Sequence, residues 1–180
     1  MILVHAETQI TKFVNAAITK AQPSWIVTTE RKATALLRTV LEKYPKLTQW
    51  DRIISSDALK CFPEEKLKEG TVLVLEDSIC QGTGVAEIIG LLEEKNVARK
   101  RIKIAAFSVH KDSQIKDIDF HWYGHLGRKN YGEMRESLLT YFQRKGSLLL
   151  DTEHIEVIVK LHCGRSVLTH QINLLDKHMF

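Results

Sequence analysis

The stretch VLVLEDSICQGTGVAEIIGLL, from Val72 to Leu92, constrains the fold of this chain more than any other. Val72 to Leu75 form a short apolar run without polar alternation, the pattern of a strand covered on both faces. Glu76 and Asp77 follow at once, and a short loop from Ser78 to Gly84 carries glycines at 82 and 84 with Thr83 between them. Val85, Ile88, Ile89 and Leu92 then recur at the spacing of one helix face. The unit is strand, acidic pair, glycine-bearing turn and helix.

That order has a chemical meaning. Glycines let backbone approach a ligand closely, and the unpaired N–H groups of a helix's first turn, with the helix dipole, make a seat for phosphate. Carboxylates at the end of the strand cannot favour phosphate directly. They can accept hydrogen bonds from vicinal sugar hydroxyls or help to hold a hydrated Mg²⁺. A phosphorylated sugar answers both demands. No GxGxxG or GxxxxGK[ST] pattern occurs, so Rossmann dinucleotide binding and Walker-type ATP hydrolysis lack their own signatures. The same residues also read as a buried strand and tight turn in an α/β protein of another function.

At these positions the sequence resembles the type I phosphoribosyltransferase family. That family's signature is an apolar strand, two acidic residues, two further residues and a small phosphate-cradling loop. Here it reads V-L-V-L, Glu76-Asp77, Ser78-Ile79, then Cys80-Gln81-Gly82-Thr83-Gly84. The resemblance implies ribose hydroxyls of phosphoribosyl pyrophosphate on Glu76 and Asp77, as the catalytic pair, and the 5′-phosphate on Cys80 to Gly84. It implies Mg²⁺ held mainly through the ligand, and transfer of ribose 5-phosphate to a nitrogen acceptor with release of pyrophosphate. The alternative is a non-catalytic ligand-sensing or regulatory module of the same fold. The family usually has Thr or Ser where Cys80 stands, often another small residue where Gln81 stands, and frequently a hydroxyl where Gly84 stands. Backbone amides still bind phosphate, so these departures bear on turnover more than on binding.

The chain's 180 residues, 44% hydrophobic and 27% charged, suffice for one domain with a substantial core. No apolar run approaches the roughly 18 to 20 residues that span a bilayer, and the amino-terminal MILVHAETQ lacks the basic start of a signal peptide. The expectation is a cytoplasmic protein without a membrane partner. Cys61, Cys80 and Cys163 are too few and too widely spaced for a disulfide framework or paired metal ligands, and the eight histidines show no zinc-ligand spacing. A net charge of +4 suits a polyphosphate ligand. The basic residues are scattered, with no arginine-rich tail or aromatic RNA-binding signature, so nucleic acid is not the expected partner.

Around the central unit, strands and helices alternate. Ile10, Phe13, Val14, Ala17 and Ile18 predict a helix over 8–21, Trp25 to Val27 a strand, and Leu37, Leu41 and Tyr44 the inward face of a second helix. Arg52 to Ser56, Ile102 to Val109 and Phe120 to Leu126 read as further strands, and Met134, Leu138 and Phe142 mark a helix over 131–144. The fold class is therefore α/β, a mostly parallel sheet flanked by helices on both faces. One domain is expected, with a core over about 8–145, and the resemblance implies a variable hood over about 146–180. By the resemblance, Thr29, Arg31 and Lys32 stand where the family holds pyrophosphate, and Lys60 lies in the segment DALKCFPEEKLKEG, where the family has a flexible loop over the reaction centre. Solvated charged surface explains these residues as well. Asp151 to His154, or His121, Trp122 and Tyr123, are candidates to meet an acceptor. The family often forms homodimers, so a homodimer is one expectation and a subunit of a larger system another.

Overall fold

A computed structural model describes residues 5–41, 44 and 52–144, apart from the side chains of Glu30 and Arg31. The hood expected over 146–180, with Asp151 to His154, lies outside the described residues. Strands β1 (Trp25–Thr28), β2 (Ile53–Ser55), β3 (Val72–Ile79), β4 (Ile102–His110) and β5 (Phe120–Leu126) form one sheet in the order β2-β1-β3-β4-β5. Every neighbouring pair is parallel. The protein has the expected α/β architecture, with helices on both faces.

Helices α1 (Ala6–Ala21), α2 (Glu30–Leu41) and α5 (Arg128–Arg144) cover one face. Their core joins Phe13, Leu36, Leu37 and Met134 to Leu73, Leu75, Ala105 and Phe107 of the sheet. The short α3 (Ser56–Leu59) and α4 (Thr83–Glu94) cover the other, joining Leu59, Val85, Ile88 and Leu92 to Val72, Val74, Ile104 and Ala106. Alternate residues of β3 and β4 thus enter opposite cores, which is why those strands read as continuous apolar runs. From β1 the chain moves outward through α2 to β2, then returns to β3 on the other side of β1 and continues through α4 to β4. The strand order reverses between β1 and β3, and open α/β sheets hold ligands outside the carboxyl ends of strands at such a point.

Several expectations need correction. Strand β3 does not end at Leu75. It pairs with β4 as far as Ile79 opposite Val109, so Glu76 and Asp77 lie within the strand. The polar residues that suggested an end are satisfied across the strand pair: the Ser108 hydroxyl donates to Ser78 Oγ at 3.0 Å. Thr83 and Gly84 belong to α4, leaving a turn of only three residues, Cys80 to Gly82. Tyr44 is 48% exposed and does not face the core, although its N–H still donates to the Val40 carbonyl at 2.8 Å. The segment after β2 is no open loop. It forms α3 and a 3₁₀ turn over Glu64–Leu67, with Leu59, Phe62 and Leu67 buried. The last helix begins at Arg128, ahead of the Tyr131 expected as its start. Among the described residues no helix is long and apolar enough to cross a membrane.

Candidate functional site

At the carboxyl edge of the sheet, where β1 and β3 separate their connections to opposite faces, a cleft of about 500 Å³ opens. Thr29, Lys32, Lys60, Glu76, Asp77 and the whole of Cys80 to Gly84 line it. These come from β3, α2, α4, the ends of β1 and α3 and the turn between β3 and α4, so the fold brings together every expected site residue whose side chain is described. Arg31 has its backbone in α2, but its side chain lies outside the described residues. His121, Trp122 and Tyr123 are not part of the cleft. They sit on β5 at one edge of the sheet, where Trp122 and Tyr123 pack against the α1/α2/α5 core and the Tyr123 hydroxyl meets Gln9 Oε1.

The glycine-bearing turn is shaped by its neighbours. Gly82 has φ 95°, a left-handed conformation, and a Cβ there would fall 2.3 Å from Ile115 Cγ1. Only glycine fits without displacing Ile115. The turn is tied further where Gln114 N donates to the Gln81 carbonyl at 3.1 Å, so the connection over 111–119 clamps it from outside. Gly84 has open space beside it, with no atom within 4 Å of a Cβ built on it. No side chain caps the start of α4. The amides of its first turn, which have no partner within a helix, therefore border the cleft.

The two carboxyl groups have different surroundings. Asp77, 5% exposed, shares the parity of Leu73 and Leu75 and so points to the α2 face, where Lys32 Nζ stands 3.6 Å from its Oδ2. Glu76 Oε1 accepts a hydrogen bond from the Asp77 amide at 2.9 Å. Burial pushes the Glu76 carboxyl well above the ordinary glutamate range, and the neighbouring charge of Asp77 pushes the same way. A hydrogen bond from Thr29 acts in the opposite direction without outweighing them. The Thr29 backbone N–H and its hydroxyl both reach the Leu75 carbonyl, at 3.1 and 3.3 Å. Thr29 thus fastens β1 to β3 at the floor of the cleft.

Sequence reasoning missed other lining residues. Ser56 and Asp57 open α3 directly after β2, where the Ser55 hydroxyl caps the helix by accepting from the Ala58 amide at 3.2 Å. The run Ser-Ser-Asp at a strand end is a helix-start signal that could have found them. Arg135 enters from α5 and carries no local signal. Cys80 and Cys61 are exposed thiols. Among the described residues no group of three His, Cys, Asp or Glu side chains could hold a metal ion. Glu76 and Asp77 fit Mg²⁺ only as partners to oxygens that a bound ligand would itself supply.

No family model matches this sequence. Among curated proteins it is similar to the redox-sensing transcriptional repressor Rex of Staphylococcus carnosus (strain TM300), 31% identical over 90 residues, which are 50% of this chain and 42% of that protein. It is also similar to Rex of Staphylococcus haemolyticus (strain JCSC1435), 29% identical over 91 residues, 49% of this chain and 42% of that protein. The chain thus spans less than half the length of these relatives. Among solved structures, a purine phosphoribosyltransferase from Pyrococcus horikoshii Ot3 is similar at TM-score 0.48 and 15% identity, over 70% of this chain and 86% of that one. The xanthine-guanine-hypoxanthine phosphoribosyltransferase of Helicobacter pylori gives 0.49 and 13%, over 71% and 88%. Likeness at this level says nothing of a shared ligand.

Proposed function

We propose that the cleft binds a phosphorylated ribose, either phosphoribosyl pyrophosphate or a related ribose phosphate. Its 5-phosphate would sit on the amides of Cys80 to Gly84 and its vicinal hydroxyls on Glu76 and Asp77. One observation carries this reading: an uncapped helix start and an acidic pair face a single cleft at the point where the strand order reverses. The loop favours anion and the carboxyl pair favours hydroxyl, so the ligand carries both. Lys32 and Lys60 add positive charge on the sides where a pyrophosphate would extend, and Mg²⁺, bound chiefly by the ligand's oxygens, would neutralise a leaving pyrophosphate. In the catalytic form of this reading the chain transfers ribose 5-phosphate to a nitrogen acceptor. Positioning and electrostatics then supply most of the rate, since positive charge develops on the ribose ring as the anomeric bond loosens.

A sensing role without turnover is the second reading, and specific observations favour it. The segment between β2 and β3 is folded down: Lys95 Nζ donates to the carbonyls of Lys60 and Phe62 at 3.2 and 3.0 Å, which holds that segment onto α4. The segment that would cover the cleft is therefore a folded, buried piece of the α3/α4 layer. The local similarity to redox-sensing transcriptional repressors points the same way.

Calorimetry with ribose 5-phosphate, and with phosphoribosyl pyrophosphate plus Mg²⁺, tests the binding. The double variant E76Q/D77N keeps the shapes of both side chains but removes charge-assisted hydrogen bonds worth about 1.5–3 kcal/mol each. Ribose 5-phosphate affinity should fall at least tenfold while inorganic phosphate binds no worse. Equal ribose 5-phosphate binding by the variant would show the pair to be structural. Pyrophosphate release with a panel of bases separates the enzyme from the sensor.

A further inference from the structure

We infer that Arg135 completes the phosphate seat from the far side of the sheet and makes the cleft selective for a phosphorylated ligand over a neutral sugar. This rests on the ribose-phosphate reading and adds to it a residue outside the loop. Helix α5 follows β5 directly and runs back across the face that carries α1 and α2. Tyr131 and Arg135, one turn apart on α5, stand at the carboxyl edge. Tyr131 is 5% exposed and sets its ring edge-on against His110, the last residue of β4, with centroids 5.2 Å apart. The Arg135 guanidinium carbon lies 6.0 Å from the centre of that ring, and the side chain forms part of the cleft wall together with the loop.

Charges converge on this corner. The Tyr131 hydroxyl is pushed above the usual tyrosine range chiefly by burial, then by Cys80, with smaller pushes from Asp77 and Glu76, while Arg135 acts the other way. Arg135 lines the same cleft as the first residue of the loop and the acidic pair. Lys32 is engaged by Asp77, and Lys60 stands on the opposite wall at the end of α3. Among the described residues Arg135 has no carboxylate partner, and its guanidinium lies over the Tyr131 ring. A guanidinium steadied over an aromatic face gives up little freedom when it grips an anion, and its planar fork matches two phosphate oxygens. Gly84 leaves open space beside the helix start, so an anion on the loop has room to meet it.

The test titrates wild type, R135Q, R135K and E76Q with ribose 5-phosphate and with inorganic phosphate in a phosphate-free buffer, at low and moderate salt. Arg135 is exposed, so R135Q should fold normally, and an unchanged Tm verifies it. R135Q should weaken both ligands by about 10- to 100-fold and flatten the salt dependence. R135K should recover part of the affinity, since it restores charge without the fork, and E76Q should weaken ribose 5-phosphate alone. If wild type binds both ligands and R135Q binds them equally well, the role of Arg135 is overturned while the binding reading stands. Weakening of ribose 5-phosphate without weakening of inorganic phosphate would also overturn it, by placing Arg135 away from the phosphate. If wild type binds neither ligand, the ribose-phosphate reading falls and this inference with it.

Discussion

Two glycines only two residues apart have opposite demands, and substitution separates them. Gly82→Ala must hold a non-glycine residue at φ 95° and push a methyl to 2.3 Å from Ile115 Cγ1, so it should destabilise by about 1–3 kcal/mol in urea unfolding. Gly84→Ala meets no atom within 4 Å and should leave the urea midpoint unchanged or slightly raised, while phosphate binding weakens because the methyl enters the seat. Equal loss of stability in the two variants would refute this division. Glu76 yields a pH prediction. Its folded carboxyl holds a proton more tightly than the ordinary 4.5, so the stability it contributes is fully present below that value and is lost as pH rises through the raised one. E76Q removes the ionisation. Its Tm should exceed that of wild type at pH 8, and the gap should close towards pH 4.5. A gap independent of pH would mean that the carboxyl is not strained by burial.

Among the elements, β5 shows how little its own sequence secures it. It is an edge strand, mostly only half-buried, and its connection from β4 contains no helix. Asp119, just before it, takes over that anchoring: Oδ2 accepts from the Ile104 amide at 2.9 Å and Oδ1 pairs with Lys103 Nζ at 2.9 Å. Asp119→Ala should cost about 1–3 kcal/mol, because the Ile104 amide loses its charged acceptor. Hydrogen exchange should quicken at Ile104 and along β5 before β3 is affected. Exchange that quickens uniformly would show that β5 has no separate stability. The strands Trp25 to Val27, Ile102 to Val109 and Phe120 to Leu126 were legible from their apolar runs to within a residue of the observed bounds. The far end of β3 was not, since Glu76 and Ser78 look like a strand's end until their neighbours on β4 are known.

For the whole molecule, the cleft lies where connections leave the sheet for opposite faces, so its walls are drawn from elements on both, α2 and α5 on one and α3 and α4 on the other. Binding to the native state alone stabilises by about 2.7 kcal/mol at a hundredfold excess over Kd. Ribose 5-phosphate should accordingly raise Tm in wild type and do so less in E76Q/D77N. No shift at saturating ligand would mean that the cleft is not its site. What the sequence by itself determined is the α/β class and the local unit from Val72 to Leu92, because apolar periodicity, a double carboxylate and glycines at a helix start act over a few residues. Thr29, Lys32 and Lys60 could be suggested from their places after strands, yet their convergence on one cleft depends on strand order, which no local pattern encodes. Tertiary structure alone decided three things: that Glu76 is pressed by burial and by Asp77 towards its protonated form, that Asp77 is held by Lys32, and that Arg135 arrives beside the loop from a helix about fifty residues on. Burial and proximity across long stretches of chain arise only when the two faces of the sheet are filled, and the desolvation and charge pairing that follow from them leave no mark on local sequence.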